Sequence, residues 1–364
     1  MNFLIENYHS GFQIVKVSYQ EDIEGINVLY VHENYMCFKN IDDSYPLLDA
    51  FYEGFNEGDI ISVNEYGLIH KLFDSRFDEA TIFITGQCNS NCIMCPCSDY
   101  ERKYNVGYSD SWLQVYLDLL PDHLGTIVIT GGEPTLKLNQ FYMVLEYVRV
   151  KFLDSCILIL SNGRSFSSHV LMEKLLENRP KYLQIAIPIH GSSEKIHDRI
   201  TQTVQSFHQT FIGIKKLLSA HIDIELRVVV SKMNIHDLVN IAYLICKEFP
   251  TTRFVNFIGL ETLGNCAKNY DQVFISYDEC FTYIKPAIHV LMEKGIETAL
   301  YNYPLCMVDK GYWSLCRKSI SPYKVRYLPE CTLCTAKSYC GGFFASTLMV
   351  SNPKVKPIVL NEEL

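Results

Sequence analysis

Three cysteines on one short stretch are the residues of this chain best suited to metal chemistry. Cys88, Cys92 and Cys95 follow a predicted apolar strand at residues 81–85 and lie in a polar loop. Cysteine runs of this kind hold iron–sulfur clusters, and three thiolates leave one metal corner open to a ligand that is not protein. Structural zinc sites close four protein ligands, whereas this loop has one CxxC pair and no adjacent histidine. The spacing therefore favours an iron–sulfur cluster over zinc or a chance grouping of thiols.

A second loop carries a carboxylate beside two glycines. An apolar strand predicted at residues 126–130 ends in Gly131, Gly132, Glu133 and Pro134. Glycines after a strand let the backbone approach a ligand closely, and loops at such positions often carry function. The motif by itself also fits an ordinary turn. Its position one strand–helix unit after the cysteine loop makes a ligand site the preferred interpretation.

The two loops together resemble those of the radical S-adenosylmethionine (SAM) superfamily. In that superfamily the cysteine loop follows the first barrel strand and a GGEP-like loop follows the second. The resemblance implies a [4Fe–4S] cluster on Cys88, Cys92 and Cys95, with SAM bound to the iron that no cysteine holds. It also implies that the loop at residues 131–134 receives the SAM amino group and that Met94 lies against the adenine.

Composition limits the classes of protein that this chain can belong to. Its 364 residues predict two or three structural units, and its net charge of -9 argues against a broad nucleic-acid footprint. The first residues lack a signal-peptide pattern, and no apolar run approaches the ~18 residues of a membrane helix. We therefore expect a cytoplasmic protein with no nucleic-acid or membrane partner. Fourteen cysteines in such a chain suggest metal binding, and Cys97 is interpreted as a free loop thiol.

Residues 77–300 alternate between strand and helix patterns, which argues for parallel βα units. Strands are predicted at 81–85, 126–130, 156–161, 182–189, 222–231 and 253–258, and helices at 138–150, 167–176, 203–220, 234–248 and 277–294. The radical SAM resemblance implies that these six units form a partial (β/α)6 TIM-like barrel, an α/β fold. Ligands of such folds gather at the carboxyl ends of the strands, where the two loops lie.

The N-terminal residues 1–76 have alternating and β-branched patterns and predict a small β-rich domain. At most one helix is expected in it, near residues 45–55. A cap that seals the barrel is the preferred role, although a peptide-recognition module that adds a strand to its edge is left open.

Three further polar residues are candidates for SAM contacts. Ser161 and Asn162 follow the third strand, where related enzymes have a (T/S)NG motif, and they are expected to bond to the SAM ribose. A plain turn explains them nearly as well. Arg227 interrupts the apolar fifth strand and needs a partner there. The SAM carboxylate is the functional candidate, and an internal salt bridge is the structural one.

Cysteines return in residues 301–364, a predicted C-terminal extension. The pattern Cys331-x2-Cys334-x5-Cys340 is followed by GGFF and preceded by Cys306 and Cys316. It looks like the start of the auxiliary-cluster extension, of the twitch or SPASM type, of peptide-modifying radical SAM enzymes. No cysteine follows Cys340, so we expect one auxiliary [4Fe–4S] cluster, with Cys306 preferred over Cys316 as its fourth ligand. Zinc is the alternative.

Further motifs narrow the resemblance over about residues 55–347. They are SNCIMCP, IPIHG…HD, GLETLGNCAKN, PLC, KSIS and CxxCxxxxxCGGFF. Together they look like a radical SAM maturase of the His-Xaa-Ser repeat system. This implies reductive cleavage of SAM to a 5′-deoxyadenosyl radical that takes hydrogen from a ribosomally made precursor peptide. It also implies a companion maturase and an electron donor such as flavodoxin or ferredoxin.

Two other interpretations remain open at this stage. The first is a sulfatase-type maturase or a thioether-forming peptide cyclase of the same superfamily. The second is an iron–sulfur or zinc protein without catalytic activity, which would not need the GGEP motif. No side chain is assigned as catalytic under any of these interpretations.

Overall fold

The computed structural model describes residues 3–20, 25, 27–41, 43–46 and 54–359. Most of the helix expected near residues 45–55 falls outside the described residues. The described residues of the chain divide into two compact units. The first comprises Met1–Thr85, Gly107–Ile159 and Asn178–Leu183. The second comprises Gly86–Val106, Leu160–Glu177 and Gln184–Leu364. The division into domains at 1–76, 77–300 and 301–364 stays a prediction.

The N-terminal sheet has seven strands among the described residues, in the order β1-β7-β6-β2-β3-β4-β5. They are β1 (Phe3–Leu4), β2 (Gln13–Ser18), β3 (Val28–Val31), β4 (Tyr35–Phe38), β5 (Asp43–Pro46), β6 (Ile60–Val63) and β7 (Leu68–Phe73). Among the described strand pairs of this sheet, β2 and β3 are parallel and the others are antiparallel. Aliphatic and aromatic side chains from alternate positions, such as Val15, Val17 and Phe38, form its core. The β-rich character predicted for this region is confirmed.

The second sheet has eight strands in sequential order, from β15 to β8. They are β8 (Glu79–Phe83), β9 (Thr126–Thr130), β10 (Cys156–Leu160), β11 (Leu183–Pro188), β12 (Asp223–Val229), β13 (Phe254–Ile258), β14 (Glu297–Tyr301) and β15 (Cys316–Arg317). The pairs β8–β9, β9–β10 and those from β11 to β15 are parallel. The predicted α/β partial barrel is confirmed, and β14 and β15 extend its sheet beyond six strands.

Helices connect the parallel strands, as the alternation of patterns predicts. The described helices are α1 (Asp99–Lys103), α2 (Asp110–Leu119), α3 (Leu138–Lys151), α4 (His169–Glu177), α5 (Glu194–Thr201), α6 (Ser206–Ser219), α7 (Leu238–Glu248), α8 (Gly264–Lys268), α9 (Tyr270–Val273), α10 (Tyr277–Met292) and α11 (Ala345–Val350). A short antiparallel pair, β16 (Val325–Arg326) and β17 (Phe343–Phe344), lies in the C-terminal extension. In the part of the chain that is described, no helix has the length and apolar content to cross a membrane.

Helix α1 begins directly after the cysteine loop because of its sequence. Ser98 caps it by accepting from the N–H of Glu101, and the Glu101 carboxylate accepts from the N–H of Ser98. This reciprocal capping box satisfies two backbone donors that the first turn of a helix leaves unpaired. The helix therefore starts at a fixed distance from Cys95 and Cys97.

Candidate functional site

The cysteine loop, residues 86–97, is held on one side by the end of helix α5. The N–H of Asn91 donates to the carbonyl of Thr201 at 3.0 Å, and the N–H of Ile93 donates to the carbonyl of Ile200 at 2.9 Å. These two backbone bonds fix alternate residues between the first and third cysteines. The loop is thus ordered by protein contacts alone, as a preformed ligand site requires.

Helix α8 holds the other side of the same loop. The N–H of Asn265 donates to the carbonyl of Cys95 at 2.8 Å, and its side-chain amide donates to the carbonyl of Cys92 at 3.0 Å. Gly264, with φ +53°, lies so close that a Cβ would meet the carbonyl oxygens of Cys97 and, at 2.8 Å, of Cys95. Glycine is therefore required where α8 meets the loop.

The three expected cluster ligands lie within electrostatic reach of one another. Cys88, Cys92 and Cys95 are each partly buried and form no disulfide. Burial, followed by the neighbouring thiols of Cys95 and Cys88, raises the pKa of Cys92 to about 12. Protein surroundings alone therefore keep Cys92 protonated, and a bound metal is the kind of partner that holds such a group as thiolate.

Cys97 contacts one of these ligands. A hydrogen bond from the Cys97 thiol lowers the pKa of Cys95 to about 6 and raises that of Cys97. Cys97 forms no disulfide. The thiol interpreted from sequence as free is thus a hydrogen-bond partner of a candidate ligand.

A single metal ion and an iron–sulfur cluster need different spacings of their ligands. Within the described ranges, no group of three or more His, Cys, Asp or Glu side chains is placed to hold a metal ion. A tetrahedral zinc with Zn–S near ~2.3 Å needs its sulfurs about 3.8 Å apart. In a [4Fe–4S] cluster each cysteine binds a different iron, so the thiols stand further apart.

Two guanidinium groups flank the loop, and sequence reasoning missed both. Arg102 donates through Nη2 to the carbonyl of Ser90 at 2.9 Å, and Arg164 donates through Nη1 to the Ser90 hydroxyl at 3.0 Å and to the Asn89 carbonyl. The N–H of Ser90 in turn lies 3.4 Å from Cys88 Sγ. These cations lower the energetic cost of gathering thiolates and sulfides in one partly buried place.

Ser161 and Asn162 form a turn that also reaches the cysteine loop. The N–H of Gly163 donates to Ser161 Oγ at 3.0 Å. The Asn162 amide donates to Asn89 Oδ1 at 2.6 Å and lies 3.8 Å from Cys88 Sγ. Both residues thus have the turn role considered from sequence, and their contact with the SAM ribose stays a prediction.

Two other expected SAM contacts have partners within the protein. Met94 is 5% exposed and packs in a cluster with Ile200 and Leu260. Arg227 Nε lies 2.6 Å from Glu225 Oε1, which is the internal salt bridge considered from sequence. The contacts of Met94 with adenine and of Arg227 with the SAM carboxylate stay predictions.

The GGEP loop lies in the first unit and is closely packed against the end of β8. The N–H of Gly132 donates to the carbonyl of Thr85 at 2.7 Å, and a Cβ on Gly131 would lie 2.5 Å from that oxygen. Glu133 is fully buried, and its carboxylate accepts from the N–H and hydroxyl of Thr135 at 3.2 and 2.6 Å. Pro134 begins the short 3-10 helix Pro134–Leu136. The loop's contact with the SAM amino group stays a prediction.

Four cysteines of the C-terminal extension line one cavity in the second unit. Cys306, Cys331, Cys334 and Cys340 share it with residues that include Tyr327. The N–H of Cys334 donates to the carbonyl of Cys331 at 3.3 Å, and Cys95 and Cys92 form the same turn at 3.1 Å. The two CxxC segments thus share the same backbone hydrogen bond between their two cysteines.

Cys306 belongs to this group more closely than Cys316 does. Burial raises the pKa of Cys306 to about 12, and the thiols of Cys340, Cys331 and Cys334 all add to the rise. Burial raises the pKa of Cys316 to about 12 as well, but Cys340 is the one cysteine that contributes there. Cys316 begins strand β15 and lies outside the cavity lining. Cys316 nevertheless packs against the hydrophobic cluster that contains Cys340, and the preference for Cys306 as the fourth ligand stays a prediction.

A C-terminal segment, residues 352–359, covers the four-cysteine cavity. Val355, Lys356 and Ile358 line the cavity, and the N–H and hydroxyl of Thr335 donate to the Ile358 carbonyl at 2.9 and 3.1 Å. The segment is thus fixed at the turn that joins the CxxC pair to Cys340.

Comparison with known proteins agrees with this geometry. Residues 82–245 match the family model of the Radical SAM superfamily. The chain is 25% identical over 191 residues to an AdoMet-dependent heme synthase of Nitratidesulfovibrio vulgaris, a match that covers 52% of this chain and 50% of that protein. It is 22% identical over 265 residues to a GTP 3′,8-cyclase of Clostridium botulinum, covering 69% of this chain and 75% of the other.

Among solved structures, Streptococcus suis SuiB bound to S-adenosylmethionine is similar, with a TM-score of 0.49 and 12% identity. That match covers 62% of this chain and 50% of SuiB. The chain thus spans half the length of the heme synthase that it matches. The matched residues include the end of β8, the cysteine loop, the GGEP loop and the strands up to β12. Residues 82–245 therefore match the Radical SAM superfamily over less than half of this chain, and members of that superfamily use a [4Fe–4S] cluster together with S-adenosylmethionine.

Proposed function

We propose that the chain is a radical SAM enzyme that modifies a ribosomally made precursor peptide. The observation that carries the proposal is the presence of two separate cysteine sites in one compact unit. The first presents three thiols on an ordered loop, and the second presents four around one cavity. An auxiliary cluster site after a radical SAM domain is typical of peptide-modifying members of the superfamily, which the C-terminal cysteine pattern resembles.

Cys88, Cys92 and Cys95 would hold the SAM-binding cluster, and the loop at residues 131–134 and Asn162 are the proposed SAM contacts. When bound, the cluster and SAM supply a 5′-deoxyadenosyl radical that takes a hydrogen atom from an unactivated C–H of the peptide. The chain's own residues fix the ligand loop, supply cations beside it and keep water out of its buried side.

Cys306, Cys331, Cys334 and Cys340 would hold an auxiliary [4Fe–4S] cluster. Four cysteines occupy all four corners of such a cluster, so they leave no iron free to bind the peptide. Residues 352–359 cover the same cavity. The site is therefore better suited to accepting the electron released when the product forms than to orienting the substrate.

The narrower assignment concerns the partners. The motifs of residues 55–347 support a precursor with His-Xaa-Ser repeats and a companion maturase, in a cytoplasmic setting. Reduction of the SAM-binding cluster needs an external one-electron donor such as flavodoxin or ferredoxin. Incubating a His-Xaa-Ser repeat peptide with enzyme, SAM and dithionite, followed by mass spectrometry, tests the substrate class. An unchanged peptide mass beside active SAM cleavage would contradict it and leave the radical SAM activity standing.

Replacing one ligand thiol tests the reaction itself. Cys92→Ala is expected to abolish 5′-deoxyadenosine formation from SAM and dithionite, because two cysteines do not retain the cluster. Cys246→Ala is the matched control, since Cys246 lies on helix α7 away from both cysteine sites and its loss should leave the rate unchanged. Full activity in Cys92→Ala would refute the proposed function.

A further inference from the structure

Helix α1 carries a guanidinium that ends beside the first cluster ligand. Arg102 lies in the last turn of α1 and donates through Nη2 to the carbonyl of Ser90 at 2.9 Å. The N–H of that same residue lies 3.4 Å from Cys88 Sγ. The helix start is fixed by the capping box of Ser98, so the position of the guanidinium is set by the fold.

The second terminal nitrogen of this guanidinium is buried without a partner. Among the described residues, no acceptor lies within hydrogen-bond distance of Arg102 Nη1. A buried polar group left unpaired costs about 1–3 kcal/mol, and more when it is charged. Native proteins pair almost all such groups. An acceptor that is not part of the polypeptide is therefore the expected partner.

Arg164, the other guanidinium at the loop, has a different arrangement. Its Nη1 donates to the Asn89 carbonyl and the Ser90 hydroxyl, and its Nε donates to Gln209 Oε1 at 2.7 Å. These three hydrogen bonds connect Arg164 to the cysteine loop and to helix α6. Arg102 makes one such hydrogen bond to the loop, through Nη2, and its buried Nη1 has no acceptor among the described residues.

We propose that Arg102 is a positioning residue of the SAM-binding cluster, whose Nη1 donates a hydrogen bond to a cluster or ligand sulfur and thereby raises the reduction potential. The inference rests on the proposed cluster at Cys88, Cys92 and Cys95. Hydrogen bonds to sulfur and nearby charge are known means of setting such potentials. Reduction adds one negative charge, which a fixed cation stabilises, so losing the cation makes the cluster harder to reduce.

The test is a redox titration of the reconstituted protein, followed by electron paramagnetic resonance without SAM. The cluster in question is recognised by the change in its signal when SAM is added. Arg102→Gln is expected to lower the ratio of reduced to oxidised cluster about tenfold at a fixed potential, which is about 59 mV for one electron. Arg102→Lys, which keeps the charge without the planar second donor, should fall between Arg102→Gln and the wild type.

Lys103→Gln is the matched control, because it removes the same charge one residue further along α1 from an exposed side chain. Lys103→Gln should leave the reduction potential of the cluster unchanged. A shift equal to that of Arg102→Gln would show that charge alone sets the potential and would refute the proposed hydrogen bond from Arg102. A wild-type potential in Arg102→Gln would also overturn the inference. If Arg102→Gln loses its iron, the reduction potential of Arg102→Lys is compared with those of the wild type and Lys103→Gln instead. A wild-type potential in Arg102→Lys would then overturn the inference. A wild-type protein that takes up no cluster at this loop would instead refute the proposed function.

Discussion

Replacing Gly264 with alanine is expected to displace the cysteine loop and lower both stability and iron content. Gly264 has a φ of +53°, and a Cβ there would lie 2.7 Å from the carbonyl oxygen of Pro96 and 2.8 Å from that of Cys95. Both atoms belong to the backbone, so no side-chain rotation relieves the contact. Either α8 or the loop must move.

The expected cost is the sum of two effects. A non-glycine residue in the left-handed region costs about 1–2 kcal/mol. Forcing a methyl group into a closely packed place costs a further ~1–3 kcal/mol. Alanine has less conformational freedom than glycine in the unfolded chain, which offsets about 0.4–1 kcal/mol of this destabilisation.

Gly295 offers a matched control for the cost of the left-handed backbone and for the lower conformational freedom of alanine in the unfolded chain. Its φ is +74°, and a Cβ there meets nothing within 4 Å. Gly295→Ala therefore carries the backbone cost without the collision. The difference between the two variants in the free energy of unfolding isolates the collision with the cysteine loop, and should be about 1–3 kcal/mol.

Anaerobic thermal unfolding followed by circular dichroism measures that difference. For a chain of 364 residues, 1 kcal/mol corresponds to about 1.3 °C of Tm, so Gly264→Ala should melt ~1–4 °C below Gly295→Ala. Iron and sulfide analysis should show that Gly264→Ala alone loses cluster, because Cys95 lies at the point of contact. Equal melting temperatures and equal iron in the two variants would refute the reasoning.

Two further predictions concern the auxiliary site and the dependence on pH. Cys306→Ser should lose about four irons per chain, whereas Cys316→Ser should keep them; the reverse result in iron analysis would transfer the fourth ligand to Cys316. Burial lowers the pKa of His197 to about 4 and that of His190 well below 6.5. As the pH falls, these two histidines bind protons in the unfolded chain before they do so in the folded chain. Their contribution to the free energy of unfolding is therefore fully present above about pH 6.5 and is lost toward pH 4. Urea unfolding should show a loss of about 2 kcal/mol between pH 7 and pH 5 from His197 alone, which His169→Gln, a change at an exposed histidine, should not alter. A flat profile would contradict the buried, neutral pair.

Local sequence patterns were sufficient for the α/β fold class and for most strands of the second sheet, whereas both cysteine sites stay predictions. Strand β9 coincides with the predicted residues 126–130, and helix α3 ends one residue after its predicted end. These elements have strong apolar periodicity, which is readable in a single segment. Strands β14 and β15 were not predicted, because β14 contains Glu297 and Ala299, residue types that are depleted in strands, and β15 has two residues.

The surroundings of the cysteine loop depend on contacts between distant segments. Asn265 bonds to a loop that lies more than 160 residues earlier in the chain, and its own neighbours in sequence give no sign of this. The sequence analysis did not single out Arg102, because a pattern of spacing does not show which donor remains unpaired. The capping box of α1, Ser98 with Glu101, is a local signal that the sequence does contain and that predicts the start of a helix after the loop.

Residues 352–359 join two separate parts of the C-terminal region at the four-cysteine cavity. Val355, Lys356 and Ile358 line the cavity, and the Ile358 carbonyl accepts two hydrogen bonds from Thr335. Loss of this segment would remove one wall of the cavity, so a cluster held by the four cysteines would then be more exposed to solvent and oxygen.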